Sequence, residues 1–305
     1  MATREIFLPD DRVVQPFPMP SDDLGAEISG LDALELPIRP APGPLRRLWA
    51  GAWPKLSAIG LFLLAWQGVV WAHLKPDYVL PGPGPVLRRM FQDIGDGTLV
   101  RATATTLQRA GIGYALAAAI GVVIGLAVAR NRVLRAAVGS MITGLQTMPT
   151  IAWFPLAILL FKLSETAILF VVVLGAAPAI ANGVIAGVDN IPPLLLRAGR
   201  VLGARGMSSY RHVILPGALP GFVAGLKQGW AFAWRSLMAG ELIVIVANKP
   251  SLGVRLQFAR EMSDAQGLLA AMLALLLIGI AVDSLVFGRL DRAVRRRFGL
   301  EAGRV

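Results

Sequence analysis

Blocks of apolar residues close to the length of a bilayer-spanning helix are the feature of this chain that most constrains its fold. An α-helix needs about 20 apolar residues to cross the hydrocarbon core of a membrane. Six such blocks follow one another, at roughly 55–74, 105–129, 133–161, 166–188, 217–246 and 267–287. Only 16% of the residues are charged, whereas a soluble domain carries about a quarter. We predict an all-α membrane protein with six transmembrane helices; a large soluble all-α protein is the alternative.

Basic residues in the short loops between these blocks indicate the orientation in the membrane. The net charge is +11, and residues 1–44 carry −5, so the rest of the chain carries +16. Arginine clusters follow the second, fourth and sixth blocks, and another basic cluster precedes the first. Basic loops tend to face the cytoplasm. Six spans place all four clusters on that side, which predicts cytoplasmic N- and C-termini in a bacterial plasma membrane and explains the charge better than nucleic-acid binding does.

Composition divides the chain into four parts. Residues 1–44 are rich in proline and acidic residues, and we predict a disordered cytoplasmic tail there. Residues 45–104 hold the first transmembrane helix and an amphipathic helix, sequence PVLRRMFQDI, expected on the outer surface. Residues 105–298 are predicted to form a core of five transmembrane helices with a loop at 190–216, and residues 299–305 form a C-terminal tail.

The sequence argues against an enzyme and against a bound cofactor. Cysteine is absent and only His73 and His212 offer imidazole, so no structural zinc site is expected. No G-x-x-x-x-G-K-[ST] segment occurs, and the chain is therefore not expected to bind ATP phosphates itself. No set of nucleophile, base and acid is apparent. We predict a non-enzymatic chain without a metal or cofactor of its own.

A basic loop punctuated by glycines, residues 190–216, separates the fourth and fifth apolar blocks. We predict that Asn190 caps a first short helix, with Pro193 in its first turn and Gly203 after its end. A second short helix, sequence YRHVIL, is expected to stop at Pro216. A helix pair with one apolar and one basic face can dock onto another protein or lie on anionic lipid. Periodicity alone leaves both interpretations open.

The same loop resembles the signature of binding-protein-dependent ABC importer permeases. That signature reads Glu-Ala-Ala, three residues, Gly, nine residues, Ile, one residue, Leu-Pro. The matching residues here are Arg197, Ala198, Gly199, Gly203, Val213, Leu215 and Pro216. Arginine stands in place of the usual glutamate, glycine in place of the second alanine, and valine in place of isoleucine.

Further segments, from about residue 78 to residue 298, resemble the same family in the same order. YVLPGPGPV at 78–86, LQTMPTIAWFPLAILLF at 145–161 and GWAFAWRSLMAGELI at 229–243 resemble permeases for nitrate, sulfonate and taurine. The sequence of residues 181–206 is most similar to that of aliphatic sulfonate permeases. The resemblance implies a permease subunit that moves solute by alternating access, for aliphatic sulfonates first and nitrate, taurine or bicarbonate as alternatives. A self-sufficient channel or secondary transporter is the second class, and a membrane anchor that only scaffolds a partner is the third.

The resemblance also implies partners and contact residues. The partners are a pair of cytoplasmic ATP-binding subunits that hold ATP and Mg²⁺, an extracytoplasmic solute-binding protein and a second copy of the permease. We call residues 190–216 the coupling loop, because the ATPase would contact the permease there. The implied contact residues are Arg197, Ala198, Gly199, Gly203, Arg205, Tyr210, Val213, Leu215 and Pro216.

Polar residues inside the apolar blocks are candidates for the translocation pathway, because they are costly in hydrocarbon. Lys227, Trp230, Trp234, Met238 and Glu241 fall on one helical stripe of the fifth block, with Arg235 and Ser236 beside it. Arginine, serine and indole groups can donate hydrogen bonds to an anion. The full predicted set is Gln146, Thr147, Pro149, Trp153, Lys227, Trp230, Trp234, Arg235, Ser236 and Glu241.

Structural roles compete with each of these assignments. Lys227 or Arg235 could instead pair with Glu241 or with another helix inside the protein, and Trp230 and Trp234 could simply pack. Pro149 could be a plain helix kink. Weaker pathway candidates are Thr103, Thr105, Gln108 and Asn182. The glycines at 111, 113, 121 and 125 are spaced for close contact between helices.

Overall fold

A computed structural model of the protein describes residues 44–298. Both predicted tails lie outside these residues, apart from residue 44. The chain divides into two compact units, Met1–Leu61 and Phe62–Val305. The first described helix, α1, covers Pro44–Trp71 and contains the boundary between them. All contacts discussed below belong to the second unit.

The second unit is helical throughout its described part, and no strand occurs in residues 44–298. Its first half consists of helices α2 (Pro83–Gly95), α3 (Thr98–Arg130), α4 (Arg132–Thr147), α5 (Phe154–Phe161) and α6 (Glu165–Asp189). A short 3₁₀ turn precedes α5. The predicted all-α class is confirmed.

The second half contains helices α7 (Pro193–Val201), α8 (Leu215–Ile243), α9 (Leu252–Glu261), α10 (Ala265–Val282) and α11 (Gly288–Arg297). A π-helical turn joins α10 to α11 without a break.

The number of helices fit to cross a membrane is smaller than the six predicted blocks. Four stretches in the described residues are long and apolar enough: Ala52–Trp71, Thr98–Arg130, Glu165–Asp189 and Ala265–Arg297. A fifth span results if the bent pair Val133–Thr147 and Thr150–Phe161 counts as one. Helix α8 has 29 residues, which is long enough, but its charged and amide side chains keep it out of this group. The sixth span stays a prediction.

The third block is interrupted at Pro149. Helix α4 ends at Thr147, Pro149 follows, and the two helical segments meet at 102°. Proline cannot donate the backbone hydrogen bond that would continue α4. The chain therefore turns sharply here instead of forming a straight span.

Helix α6 occupies the centre of the unit, packed between α3 and α8. Most of its side chains are buried, including the fully covered Ile168 and Ile180. The predicted close packing of the α3 glycines is confirmed at Gly121, where an added Cβ would lie 2.6 Å from the carbonyl oxygen of Ala177. Gly111, in contrast, has open space around it.

On its other side, α6 crosses α8 through facing glycines. A Cβ on Gly183 would overlap the Cα of Gly225, and one on Gly221 would lie 2.5 Å from the Cα of Gly187. Small residues allow this backbone-to-backbone approach. Helices α6 and α8 therefore touch along their main chains, and α8 has little freedom to shift relative to α6 near these crossings.

The predicted amphipathic helix is confirmed as α2. Its apolar face buries Val86 and Met90 in a cluster with residues of α3 and α10. Its buried carboxylate, Asp93, accepts from Arg89 Nε at 3.2 Å and pairs with Arg255 of α9. The ion pair between Asp93 and Arg255 therefore connects α2 to α9 as well.

The turn between α2 and α3 is closed by a short polar contact. Asp96 Oδ1 accepts from the backbone N–H of Thr98 at 2.9 Å and from its hydroxyl at 2.7 Å. These hydrogen bonds stabilise the carboxylate and lower the pKa of Asp96 below its ordinary value.

Candidate coupling and translocation sites

The first helix of the coupling loop forms as predicted, with one correction at its start. Helix α7 begins at Pro193 and is followed by Gly203, whose φ of +82° a glycine adopts readily. The N–H of Ala204 donates to the carbonyl of Gly199 at 2.9 Å and closes the helix end. The predicted cap at Asn190 is wrong, because α6 extends to Asp189 and Asn190 terminates that helix instead.

The second predicted helix of the loop does not stop at Pro216. A helical turn at Met207–Ser209 and a π-helical turn at Tyr210–Ile214 run directly into α8. The N–H of Leu215 bonds to the carbonyl of Tyr210, which is the π-type spacing. Because this turn shifts the hydrogen-bond register by one residue, the chain passes the proline without a break. From Met207 onward, the coupling loop and α8 therefore form one continuous helical arm.

Two contacts hold the coupling loop in shape. Gly199 packs against Val213, where an added Cβ would lie 2.7 Å from a methyl carbon. The guanidinium of Arg130, at the end of α3, lies 5.7 Å from the ring centroid of Tyr210, within cation–π range. The remaining exposed members of the predicted contact set are Arg197, Ala198, Gly203, Arg205 and Leu215. A structured loop with an exposed basic face suits docking, and the docking role stays a prediction.

The exposed face of α8 carries polar and small side chains. Ala224, Gln228, Ala231 and Arg235 are exposed and share one face at helical spacing; Lys227 is exposed beside them. We call these five residues the polar stripe. Its arginine donates only to its own helix, from Nε to the carbonyl of Ala231 at 3.1 Å, and no carboxylate among residues 44–298 pairs with it.

The helical stripe predicted from the sequence differs from this polar stripe, because its residues are not all exposed. Trp230 and Trp234 stack with ring centroids 6.0 Å apart and are only partly exposed. Lys227 Nζ lies 3.2 Å from Asp283 Oδ2, so Lys227 pairs with another helical segment, which was one of the two predicted alternatives, and not with Glu241. Ser236, fully buried, donates to the carbonyl of Phe232 at 2.8 Å.

The predicted group around Pro149 contains an unpaired polar atom. Gln146 Nε2 is buried and has no hydrogen-bond partner within residues 44–298. An unsatisfied buried donor costs about 1–3 kcal/mol, so a donor that the protein leaves unpaired suits a contact with solute. Thr147 donates to the carbonyl of Gly144 at 2.8 Å, Pro149 is exposed, and Trp153 is partly buried against the main core.

A buried charge network that the sequence did not reveal lies at the end of α8 away from the coupling loop. The fully buried Glu241 accepts from Arg109 Nη1 at 3.0 Å, from the hydroxyl of Thr106 at 2.9 Å and from the N–H of Gly253 at 3.0 Å. Gly253 is required here, because a Cβ would overlap that of Glu241. The carboxylate lies at the N-terminus of α9, where the helix dipole also favours a negative charge.

Arg109 holds a second carboxylate on its other edge. Its Nε and Nη2 donate to the two oxygens of Glu165 at 2.8 and 2.7 Å, a two-pronged contact. Lys249 Nζ lies 3.3 Å from the same carboxylate. Glu165 is 29% exposed and Arg109 only 5%. The network therefore has a sealed half at Glu241 and an accessible half at Glu165.

One signal in the sequence could have found this network. Arg109 is a charged residue inside the second predicted block, and such residues are rare and functional by default. The neighbouring Thr105 and Gln108 are among the predicted pathway candidates, whereas Arg109 is not. Its partners could not be named from the sequence, because Glu165 and Glu241 lie 56 and 132 residues away.

The helix arrangement of the described residues has a counterpart among solved structures. It matches a chain of the inward-facing methionine ABC transporter MetNI with a TM-score of 0.56 and 23% identity, over 65% of this chain and 96% of the other. The fold is therefore that of ABC transporter membrane subunits.

Residues 117–296 match the family described as binding-protein-dependent transport system inner membrane component, and the chain belongs to this family. The taurine transport system permease protein of Escherichia coli is 29% identical over 79% of this chain and 87% of its own. The riboflavin transport system permease protein of Chloroflexus aurantiacus is 31% identical over 86% and 97%. The resemblance to nitrate, sulfonate and taurine permeases is confirmed.

Proposed function

We propose that this permease carries a small organic anion, with aliphatic sulfonates as the first substrate class. The observation that carries the proposal is the polar stripe of α8. A guanidinium without a carboxylate partner is costly on a lipid-facing surface. The stripe therefore fits a water-filled pathway better than contact with lipid, and its arginine can donate two parallel hydrogen bonds to a sulfonate.

The unpaired amide of Gln146 supports a second contact to solute. A sulfonate oxygen would satisfy this donor, whereas nothing else in the described residues does. The side chain lies next to the sharp bend at Pro149, and irregular backbone at membrane depth is tolerated only beside protein or water. The pathway would thus combine the bend after α4 with the polar stripe.

The continuous arm formed by the coupling loop and α8 supports transmission of force. We propose that a pair of ATP-binding subunits, which hold ATP and Mg²⁺, contacts the exposed basic face of the coupling loop. Because the loop continues from Met207 into α8 without a break, movement of this part of the loop moves α8. Two permease copies would then alternate between inward- and outward-facing states, with both termini in the cytoplasm and an extracytoplasmic solute-binding protein delivering the anion.

Growth on defined sulfur sources tests the substrate. A deletion strain of the organism that encodes the chain should grow on sulfate but not on ethanesulfonate as the sole sulfur source, and a plasmid copy should restore growth. An Arg235→Gln copy should restore it poorly, whereas an Arg101→Gln copy, which changes an exposed arginine of α3 outside the stripe, should restore it fully. Normal growth of the deletion strain on ethanesulfonate would contradict the proposal.

Riboflavin is the second candidate, because the riboflavin permease is 31% identical over 86% of this chain and 97% of its own length. A deletion strain made auxotrophic for riboflavin should still take up the vitamin if the substrate is a sulfonate. Loss of riboflavin uptake together with normal growth on ethanesulfonate would establish the second candidate instead. Purification with the ATP-binding subunit tests the partner, which a self-sufficient channel would not need.

A further inference from the structure

The end of α8 away from the coupling loop borders a cavity of about 350 Å³. About 39 Å of helix axis separates Leu215 from Glu241 at 1.5 Å per residue, so the cavity lies at the extracytoplasmic end in the predicted orientation. Its polar lining consists of Thr105, Gln108, Arg109, Glu165, Asn248 and Lys249. Ligand sites span about 300–1,000 Å³, which leaves room here for a solute of a few carbons.

If the charge of Glu165 is left out, the net charge around the cavity is positive by one unit, which fits one monovalent anion. Arg109 and Lys249 contribute two positive charges, and the sealed Glu241 behind Arg109 contributes one negative charge. Glu165 neutralises the remaining charge by placing its two oxygens on the edge of the guanidinium, at 2.7 and 2.8 Å. Carboxylates and sulfonates use the same two-pronged geometry with arginine. The carboxylate of Glu165 therefore occupies the position of a ligand.

We propose that this cavity receives the anion during transport and that Glu165 is an exchangeable internal competitor for it. The sulfonate oxygens replace the Glu165 carboxylate on Arg109 and Lys249, and the displaced carboxylate is hydrated. This inference rests on the proposed function, since it takes the transported solute to be a small organic anion. It adds a receiving site that is separate from the polar stripe.

The two halves of the network differ in the way such an exchange requires. Glu165 is the first residue of α6 and is 29% exposed, so water can reach it when it leaves Arg109. Arg109 is 5% exposed and stays fixed, because Glu241 holds its Nη1 and is itself held by Thr106 and Gly253. The guanidinium thus keeps one buried counter-charge whether or not the solute is present.

Binding of ethanesulfonate to the purified full-length chain in lipid nanodiscs tests the proposal. Equilibrium dialysis with ³⁵S-labelled ethanesulfonate would give the Kd. Glu165→Gln removes the competing charge and should tighten binding on the order of tenfold, because the site is no longer occupied by its own carboxylate. Lys249→Gln, which leaves the Arg109 contacts intact, should weaken binding several-fold. Glu261→Gln changes an exposed carboxylate outside the cavity and should match the wild type.

An unchanged or weaker affinity of Glu165→Gln, or no saturable binding in any variant, would overturn the proposal and make Glu165 a purely structural partner of Arg109. The thermal midpoint of each variant shows whether it is folded, and the Lys249 variant keeps the test valid if Glu165→Gln unfolds. Glu165→Gln could bind ethanesulfonate more tightly although the permease does not support growth on ethanesulfonate. That combination would uphold the site and reject the substrate. Growth on ethanesulfonate without tighter binding by Glu165→Gln would uphold the substrate and reject the site.

Discussion

The two ends of the arm that contains α8 are built in opposite ways. The coupling-loop end is exposed, depends on backbone features such as the left-handed Gly203, and has few contacts to other elements. The far end is buried and depends on side-chain charges, with Glu241 bound to α3 and α9. An exposed, locally structured end suits a partner that binds and leaves, whereas a sealed end suits a fixed joint. Substitutions at the two ends should therefore affect different measurements.

The largest effect is expected at the sealed end. Glu241→Ala removes the counter-charge that holds Arg109 Nη1 and leaves Thr106 and the N–H of Gly253 without this acceptor. Breaking a buried ion pair costs about 3–5 kcal/mol. Denaturant titration in detergent micelles should show this loss in the free energy of unfolding. The exposed control Glu261→Gln should change it by less than about 0.5 kcal/mol, and equal effects of both variants would contradict the sealed joint.

A smaller loss is expected midway along α8, at its crossing with α6. Gly183→Ala places a methyl group against the backbone of Gly225 and should cost about 1–3 kcal/mol of unfolding free energy. Gly139→Ala is the matched control, because an added Cβ there meets nothing within 4 Å. Alanine in an unhindered helix position is favoured by about 0.5–1 kcal/mol over glycine. Similar stability of the two variants would mean that α6 and α8 are not in close contact.

At the coupling-loop end, Gly203→Ala should act mainly on the partner. A left-handed conformation costs a non-glycine residue about 1–2 kcal/mol. The loop should relax to another shape, so that the ATP-binding subunit binds about five- to thirtyfold more weakly. Surface plasmon resonance with immobilised permease measures this affinity. If the global unfolding free energy fell instead while affinity stayed constant, the loop would belong to the core of the fold.

The smallest effect is expected at Tyr210. Tyr210→Leu removes the ring under Arg130 and should weaken the attachment of the coupling loop to α3 by about 0.5–1 kcal/mol, whereas Tyr210→Phe keeps a ring and should retain most of it. The ratio of ATP molecules hydrolysed to solute molecules imported measures the effect of this weaker attachment. A phenylalanine variant as impaired as the leucine variant would point to the hydroxyl and not to the cation–π contact.

The same contrast explains how much the sequence could predict. Gly203 and Pro193 act on their own neighbours, so a local pattern placed α7 and its end correctly. Pro149 broke the third block for the same reason. Pro216 failed as a stop signal because the π-helical turn before it depends on how the loop packs. The ion network joins residues of α3, α6, α8 and α9, and only the tertiary fold brings them together.

ATP-dependent uptake by proteoliposomes tests most directly whether the coupling loop connects a separate ATPase to this permease. Vesicles that contain the permease, its ATP-binding subunit and the solute-binding protein should accumulate ethanesulfonate when ATP is supplied to the ATPase side. Vesicles that lack the ATP-binding subunit should accumulate none. Uptake at the same rate by the permease alone would contradict the proposed mechanism.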